Sequence, residues 1–157
     1  MDASYINSFV QGAQRVFASV CQETPSLGKV FIKTMPYVTS EVTVVVDISG
    51  DFEGEAVYNM KEDAGCFIAS KMMRGFPVPS LEDDIAKSAV AELANIITGN
   101  VSTILAGKKI LANISPPLIR IGANPSDFPF AAKVTKAVCV PLHFENGHIF
   151  EVDMLIP

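Results

Sequence analysis

Between Ser80 and Gly107 the chain carries apolar residues at the spacing of a single helix face for about seven turns, and this limits the folds open to it. Ala86, Val90, Leu93, Ile97, Val101 and Ile104 recur three or four residues apart, the pattern of a buried stripe on an amphipathic helix. Ser80 is the expected N-cap, and Glu82, Asp83 and Asp84 suit the positive end of the helix dipole. Gly107 is the expected C-terminal residue. A stripe this long must lie on another layer of structure.

The rest of the chain supplies that layer. Ile6, Phe9, Val10, Ala13, Val16, Phe17 and Val20 predict a first amphipathic helix over 3–21, stopped by Thr24-Pro25-Ser26-Leu27-Gly28. Strands are expected at Val30–Tyr37, Glu41–Ile48 and Gly54–Met60, the last two joined by a turn over Gly50–Gly54. The middle run is almost continuously β-branched and suits a central strand. Glu62–Met73 reads as a short helix. Lys108–Ile121 is extended and broken by Pro116-Pro117. Val134–Phe144 and His148–Ile156 form a closing hairpin whose Asn146-Gly147 fits a type I′ turn. The order is α-βββ-αα-βββ. It implies an α+β fold, a mostly antiparallel sheet covered by helices, in a single domain spanning 1–157.

Composition narrows the functional classes. Hydrophobic residues make up 49% and charged residues 18%, which suits a packed globule and not a disordered chain. A net charge of −5, with only Lys108-Lys109 adjacent among the basic residues, leaves no footprint for nucleic acid. Cys21, Cys66 and Cys139 are too few and too scattered for a disulfide framework or a zinc site. No run of eighteen apolar residues and no signal-like start are present, so a soluble, cytoplasmic protein with no membrane partner is expected.

The long helix also carries a row that does nothing for the helix itself. Ser88, Glu92, Asn95 and Gly99 fall within a stripe about 60° wide, opposite the apolar one. Ser, Asn and Gly together cost the helix about 2 kcal/mol relative to Ala. Glu92 has Ser88 and Ile96 four residues either side, so no intrahelical ion pair accounts for it. Asn95 does not titrate, but its amide can hold a water by one accepted and one donated hydrogen bond. Glu92 can anchor a partner's Lys or Arg, or act as a base if buried. Ser88 can donate or accept at the rim, and Gly99 leaves room for another backbone. Such a row docks onto something and places a water, or it is simply a solvated helix face.

Other candidates are weaker. His143 and His148 flank the Asn-Gly turn without a set of further metal ligands. Gly50-x3-Gly54 lacks the Lys-Ser/Thr of a phosphate loop, and no serine sits in a Gly-x-Ser-x-Gly context. Asp83-Asp84 is accounted for by the dipole. No residue is assigned as a metal ligand. The first helix, with exposed Asn7, Gln11 and Gln14, does not repeat the Ser-x3-Glu-x2-Asn spacing.

Ser88-Ala-Val-Ala-Glu92-Leu-Ala-Asn95-Ile-Ile-Thr-Gly99 resembles the (Asp/Ser)-x3-Glu-x2-Asn-x3-Gly signature of the CheC/CheX/FliY phosphatases of bacterial chemotaxis. Ile114-Ser-Pro-Pro-Leu118 followed by Gly122 resembles the double-proline segment of the CheX branch, and length and element order agree. The resemblance implies a CheC-like fold and a two-component signalling phosphatase that hydrolyses the aspartyl phosphate of a CheY-like response regulator. On that likeness Asn95 orients the attacking water, Glu92 engages the receiver's lysine, and Ser88 takes the more variable first position. It further implies no cofactor of its own, with Mg²⁺ supplied by the receiver, and a homodimer with one motif per subunit. Edges near Lys108–Ile114 or the closing hairpin are the expected interfaces. The alternative is a non-catalytic adaptor that binds a receiver or a flagellar switch protein through the same helix face.

Overall fold

The β-branched run that begins at Val42 becomes the strand with partners on both sides around which the sheet is built. The computed structural model describes residues 3–35, 37–122 and 134–157. In chain order these form α1 (Ala3–Val16), a π-helical turn (Phe17–Cys21), β1 (Ser26–Leu27), β2 (Phe31–Thr34), β3 (Val42–Gly50), β4 (Gly54–Met60), α2 (Glu62–Met72), α3 (Asp84–Gly107), β5 (Ala112–Ile114), β6 (Leu118–Ile121), β7 (Lys136–His143) and β8 (Ile149–Leu155). The strands make one sheet in the order β1-β7-β8-β4-β3-β5, with β2 also beside β7 and β6 also beside β3. Every pairing among the described residues is antiparallel. The α+β class and the mostly antiparallel sheet are as expected.

One face of the sheet carries the helices. Val44 and Val46 of β3, Tyr58 of β4 and Val152 of β8 meet Leu93, Ile97 and Leu105 of α3 in the main core. Fully burying each such side chain contributes about 1.5–3 kcal/mol, so a charge at Leu93 or Ile97 would unseat the helix. α1 crosses α3 at Gly12, where a Cβ would lie 2.7 Å from Cγ2 of Val101. α3 is long and apolar enough, by length and composition, to cross a membrane, but its apolar stripe is spent on α1 and the sheet. The opposite face presents Val45, Val57, Cys139 and Leu155, also buried, with Tyr37 packed among them. Alternation along the strands divides the two faces.

Several local expectations change. The N-cap of α3 is Asp83, not Ser80: Asp83 Oδ1 accepts from the Ile85 N–H at 2.8 Å. Ser80 Oγ instead takes the Glu82 N–H at 3.1 Å, and the fully buried Leu81 holds this turn to the core before the helix begins. Gly107 ends the helix as expected, yet the left-handed residue after it is Lys109 (φ 62°). The Ile110 N–H reaches the Leu105 carbonyl (3.0 Å) and the Lys109 N–H that of Ala106 (2.9 Å), a Schellman closure made without glycine at its left-handed position. Ile104 is half-buried, while Leu105 and Thr98 take places in the buried stripe.

The first expected strand shrinks to Phe31–Thr34, its Pro36 lying outside the described residues, and Ser26–Leu27 pairs with β7 where only a turn was expected. The proline pair divides its segment into β5 and β6, so four strands follow α3 among the described residues. The closing turn is not type I′. The Gly147 N–H bonds to the Phe144 carbonyl at 3.0 Å, and Gly147 (φ 93°) has positive φ while Asn146 does not. That is a type I turn followed by a glycine bulge.

Candidate functional site

Helical geometry brings the predicted row together as expected. Ser88, Glu92, Asn95 and Gly99 all lie on the face of α3 turned away from the core, with Ser88 and Glu92 exposed and Asn95 and Gly99 half-buried. Among the described residues, no hydrogen bond or ion pair engages the side chains of Ser88, Glu92 or Asn95. Asn95 follows Glu92 by three residues, roughly 4.5 Å along the axis, so both can touch one partner group at once. A Cβ at Gly99 would meet Cδ1 of Ile114 at 3.8 Å, an ordinary contact. The chain's own packing therefore does not demand glycine there.

What lies under the row is tightly held. Thr98 Oγ1 donates to the Ala94 carbonyl at 2.7 Å, which leaves the Tyr58 hydroxyl as donor to Thr98, also at 2.7 Å. Tyr58 and Thr98 are both buried, and burial pushes the Tyr58 hydroxyl well above its usual range. Ser102 Oγ donates to the Ala112 carbonyl at 2.5 Å, tying α3 to β5, and Ser115 Oγ accepts from the Asp47 N–H at 2.9 Å. The helix that bears the row is thus fixed to β4 and, through β5, to β3. Sequence reading missed Thr98, because a threonine on the apolar side of a helix gives no sign of which strand residue will meet it.

A second polar cluster lies on the far face of the sheet. Asp153, fully buried on β8, accepts at Oδ2 from Lys33 Nζ (3.1 Å), Asn59 Nδ2 (3.0 Å) and the Tyr37 hydroxyl. Asn59 Oδ1 accepts from Thr43 Oγ1 at 2.8 Å, and Lys33 also pairs with Glu151 at 2.5 Å. Burial, reinforced by Asp153, pushes Glu151 up to about 7, although Lys33 pulls the other way. Burial alone would lower Lys33, but the Asp153 and Glu151 carboxylates outweigh it and hold its ammonium above the usual range. Among the described residues, Cys139, Glu151 and Asp153 have ligand atoms close enough to share a cation, and Lys33 already sits against both carboxylates. His143 and His148 do not face each other. His143 lies beside Gly28, while His148 stacks on Phe67 with Nδ1 3.9 Å from Asp63.

The clefts of about 590 and 340 Å³ take their walls from other elements, and none of their lining residues comes from α3. The row is an open ridge, a shape for a macromolecule and not for a small substrate enclosed in a pocket. Between Glu82 and Gly99 it carries four carboxylates against one lysine, Lys87, which pairs with Asp84 at 3.3 Å. A partner with basic groups complements it.

The profile of the chemotaxis phosphatase CheX family matches residues 42–142. A CheY-P phosphatase CheX of Thermotoga maritima is 26% identical over 124 residues, 79% of either chain. The chain is similar to one in the crystal structure of the CheX–CheY–BeF3–Mg²⁺ complex from Borrelia burgdorferi, at 30% identity with 97% of both chains covered and a TM-score of 0.75. It shares its fold with a chemotaxis protein CheX from Desulfovibrio desulfuricans, at 18% identity, 98% and 99% coverage and a TM-score of 0.82.

Proposed function

The chain belongs to the chemotaxis phosphatase CheX family, and from that membership we propose that it acts, as one domain over 1–157, to hydrolyse the aspartyl phosphate of a CheY-like receiver. The observation that carries this reading is the ridge of α3, where Ser88, Glu92 and Asn95 project from a firmly held helix with no side-chain partner among the described residues. Asn95 enters the receiver's site and holds a water, accepting a hydrogen bond from it at Oδ1 and steering its lone pair towards phosphorus. Glu92 pairs with the receiver's lysine. Exposed, such a pair contributes at most about 1 kcal/mol, and it gains when the interface excludes water. Ser88 bonds at the rim, and Gly99 lets the receiver's backbone approach. The receiver supplies Mg²⁺, which neutralises charge on the phosphoryl group.

Release of phosphate from a purified phospho-receiver tests this. The unaltered protein should shorten the life of the phosphoryl group, and Asn95→Ala should reduce that effect about 100-fold while receiver binding persists. Glu92→Lys should weaken binding itself. Equal dephosphorylation with and without the unaltered protein, across the receivers of its host, would leave only the adaptor reading. The Borrelia complex of CheX with CheY is the observation that favours a receiver over other partners.

The protein is also proposed to be a homodimer. The closing hairpin is not the edge expected from sequence, because β7 and β8 both have neighbours on each side. A better surface is the β1–β2 border, where Leu27, Phe31 and Ile32 are exposed. Sedimentation of Ile32→Lys should then show monomer where the unaltered chain shows dimer.

A further inference from the structure

Ile85 is 66% exposed on the second residue of α3, and it belongs to neither buried cluster. Phe76 and Val38 are comparably exposed, but Ile85 differs from them in standing on the line of Glu92. It precedes Glu92 by seven residues, close to two full turns and roughly 10 Å along the axis. Ala89 and Ile96 fall within about 40° of it on the helical wheel. Both are half-buried and packed on the core, so of this apolar line only Ile85 is free to be covered by another molecule. The ridge therefore has two parallel tracks, a polar one of Ser88, Glu92 and Asn95 and an apolar one that ends at Ile85.

We propose that Ile85 is an affinity and specificity anchor, inserted into an apolar patch on the same receiver whose phosphoryl group Asn95 reaches. This rests on the reading of the ridge as a receiver-docking site. The size of an ordinary interface supports the assignment. A partner surface of roughly 800 Å² covers a disc of radius roughly 16 Å. Ile85 is ten residues from Asn95, roughly 15 Å along the helix, so a receiver seated over Asn95 extends to it. Charge supports it as well. Glu82, Asp83 and Asp84 are all exposed and directly precede Ile85, with only Asp84 ion-paired among the described residues, to Lys87, so the matching patch is apolar and bordered by Lys or Arg. A buried aliphatic contact within a charged collar is where binding energy concentrates, and the collar selects among receivers by what borders their patch.

The experiment compares Ile85→Ser and Ile85→Leu with the unaltered protein, in steady-state phosphate release and in binding to a receiver held in its active form by beryllofluoride. Ile85→Ser adds no charge and removes no core contact, so thermal unfolding should be unchanged. It should raise KM and the dissociation constant about tenfold, which is 1.4 kcal/mol, with kcat unaltered. Ile85→Leu should restore both. A purely structural residue would not give this split with rescue. Unchanged KM and binding for Ile85→Ser, beside an unaltered protein that is active, overturns the anchor alone. An unaltered protein that neither binds nor dephosphorylates any receiver overturns the anchor together with the docking site.

Discussion

The ridge of α3 and the far face of the sheet both gather polar residues, but they treat them in opposite ways. On the far face Asp153 is fully buried and takes three donors on one oxygen, from residues of β2, β4 and the segment between β2 and β3. On the ridge Ser88, Glu92 and Asn95 have no partner among the described residues. Buried polar groups bonded to one another tie strands in one register, here even with Asp153 Oδ1 unbonded among the described residues, whereas polar groups held rigid at the surface and unbonded within the chain are available to another molecule. Changes on the far face should therefore be read in stability, and changes on the ridge in activity.

The largest effect should come from Asp153→Ala. It takes one shared acceptor from Lys33, Tyr37 and Asn59 and leaves Lys33 with Glu151 and Asn59 with the Tyr37 hydroxyl, and removing one member of such a buried set costs about 3–5 kcal/mol. Urea unfolding should show that loss, while the fraction that remains folded keeps its rate on a phospho-receiver. A lost rate with stability intact would mean that the two regions are not separate.

Glu151→Gln should show a smaller effect that depends on pH. The folded protein raises this carboxyl from an ordinary 4.5 to about 7, so the native state binds its proton more tightly than the unfolded chain does. Its contribution is then complete below about pH 4.5 and lost as pH rises through about 7. Glutamine does not titrate. The variant should lose on the order of 2 kcal/mol of the decline in stability between pH 5 and pH 8. Parallel slopes for the two proteins, measured by denaturation across that range, would remove Glu151 as their cause.

Tyr58→Phe tests the link beneath the ridge. It deletes the donor to Thr98 and nothing else, so it should cost about 1 kcal/mol of stability.

How much of this was legible beforehand follows from how far apart the partners lie in sequence. The ridge was legible because Ser88, Glu92, Asn95 and Gly99 are placed by the period of one helix, and exposure followed from the apolar stripe opposite. β3 and the closing hairpin were legible from composition and alternation. The far-face network was not, since Tyr37 and Asp153 are 116 residues apart and meet only once the strands are in register. Local competition explains the smaller misses. Ser80 and Asp83 are both good caps, and the burial of Leu81 decides between them. Asn146-Gly147 suits two turn types, and the backbone takes the one with positive φ at glycine alone.

The smallest effect should be the most telling about the ridge. Replacing Ser88, Glu92 and Asn95 together by alanine removes three side chains that bond to nothing within the described chain, and Ala is the better helix former at each position. The triple variant should therefore be more stable by about 1 kcal/mol, seen as a raised unfolding midpoint at unchanged slope. The same protein should have lost its effect on a phospho-receiver. A gain in stability with a loss of activity fits residues kept at the helix's expense for a partner's benefit. A loss of stability would mean that the row supports the fold after all, and the contrast with the far face would fail.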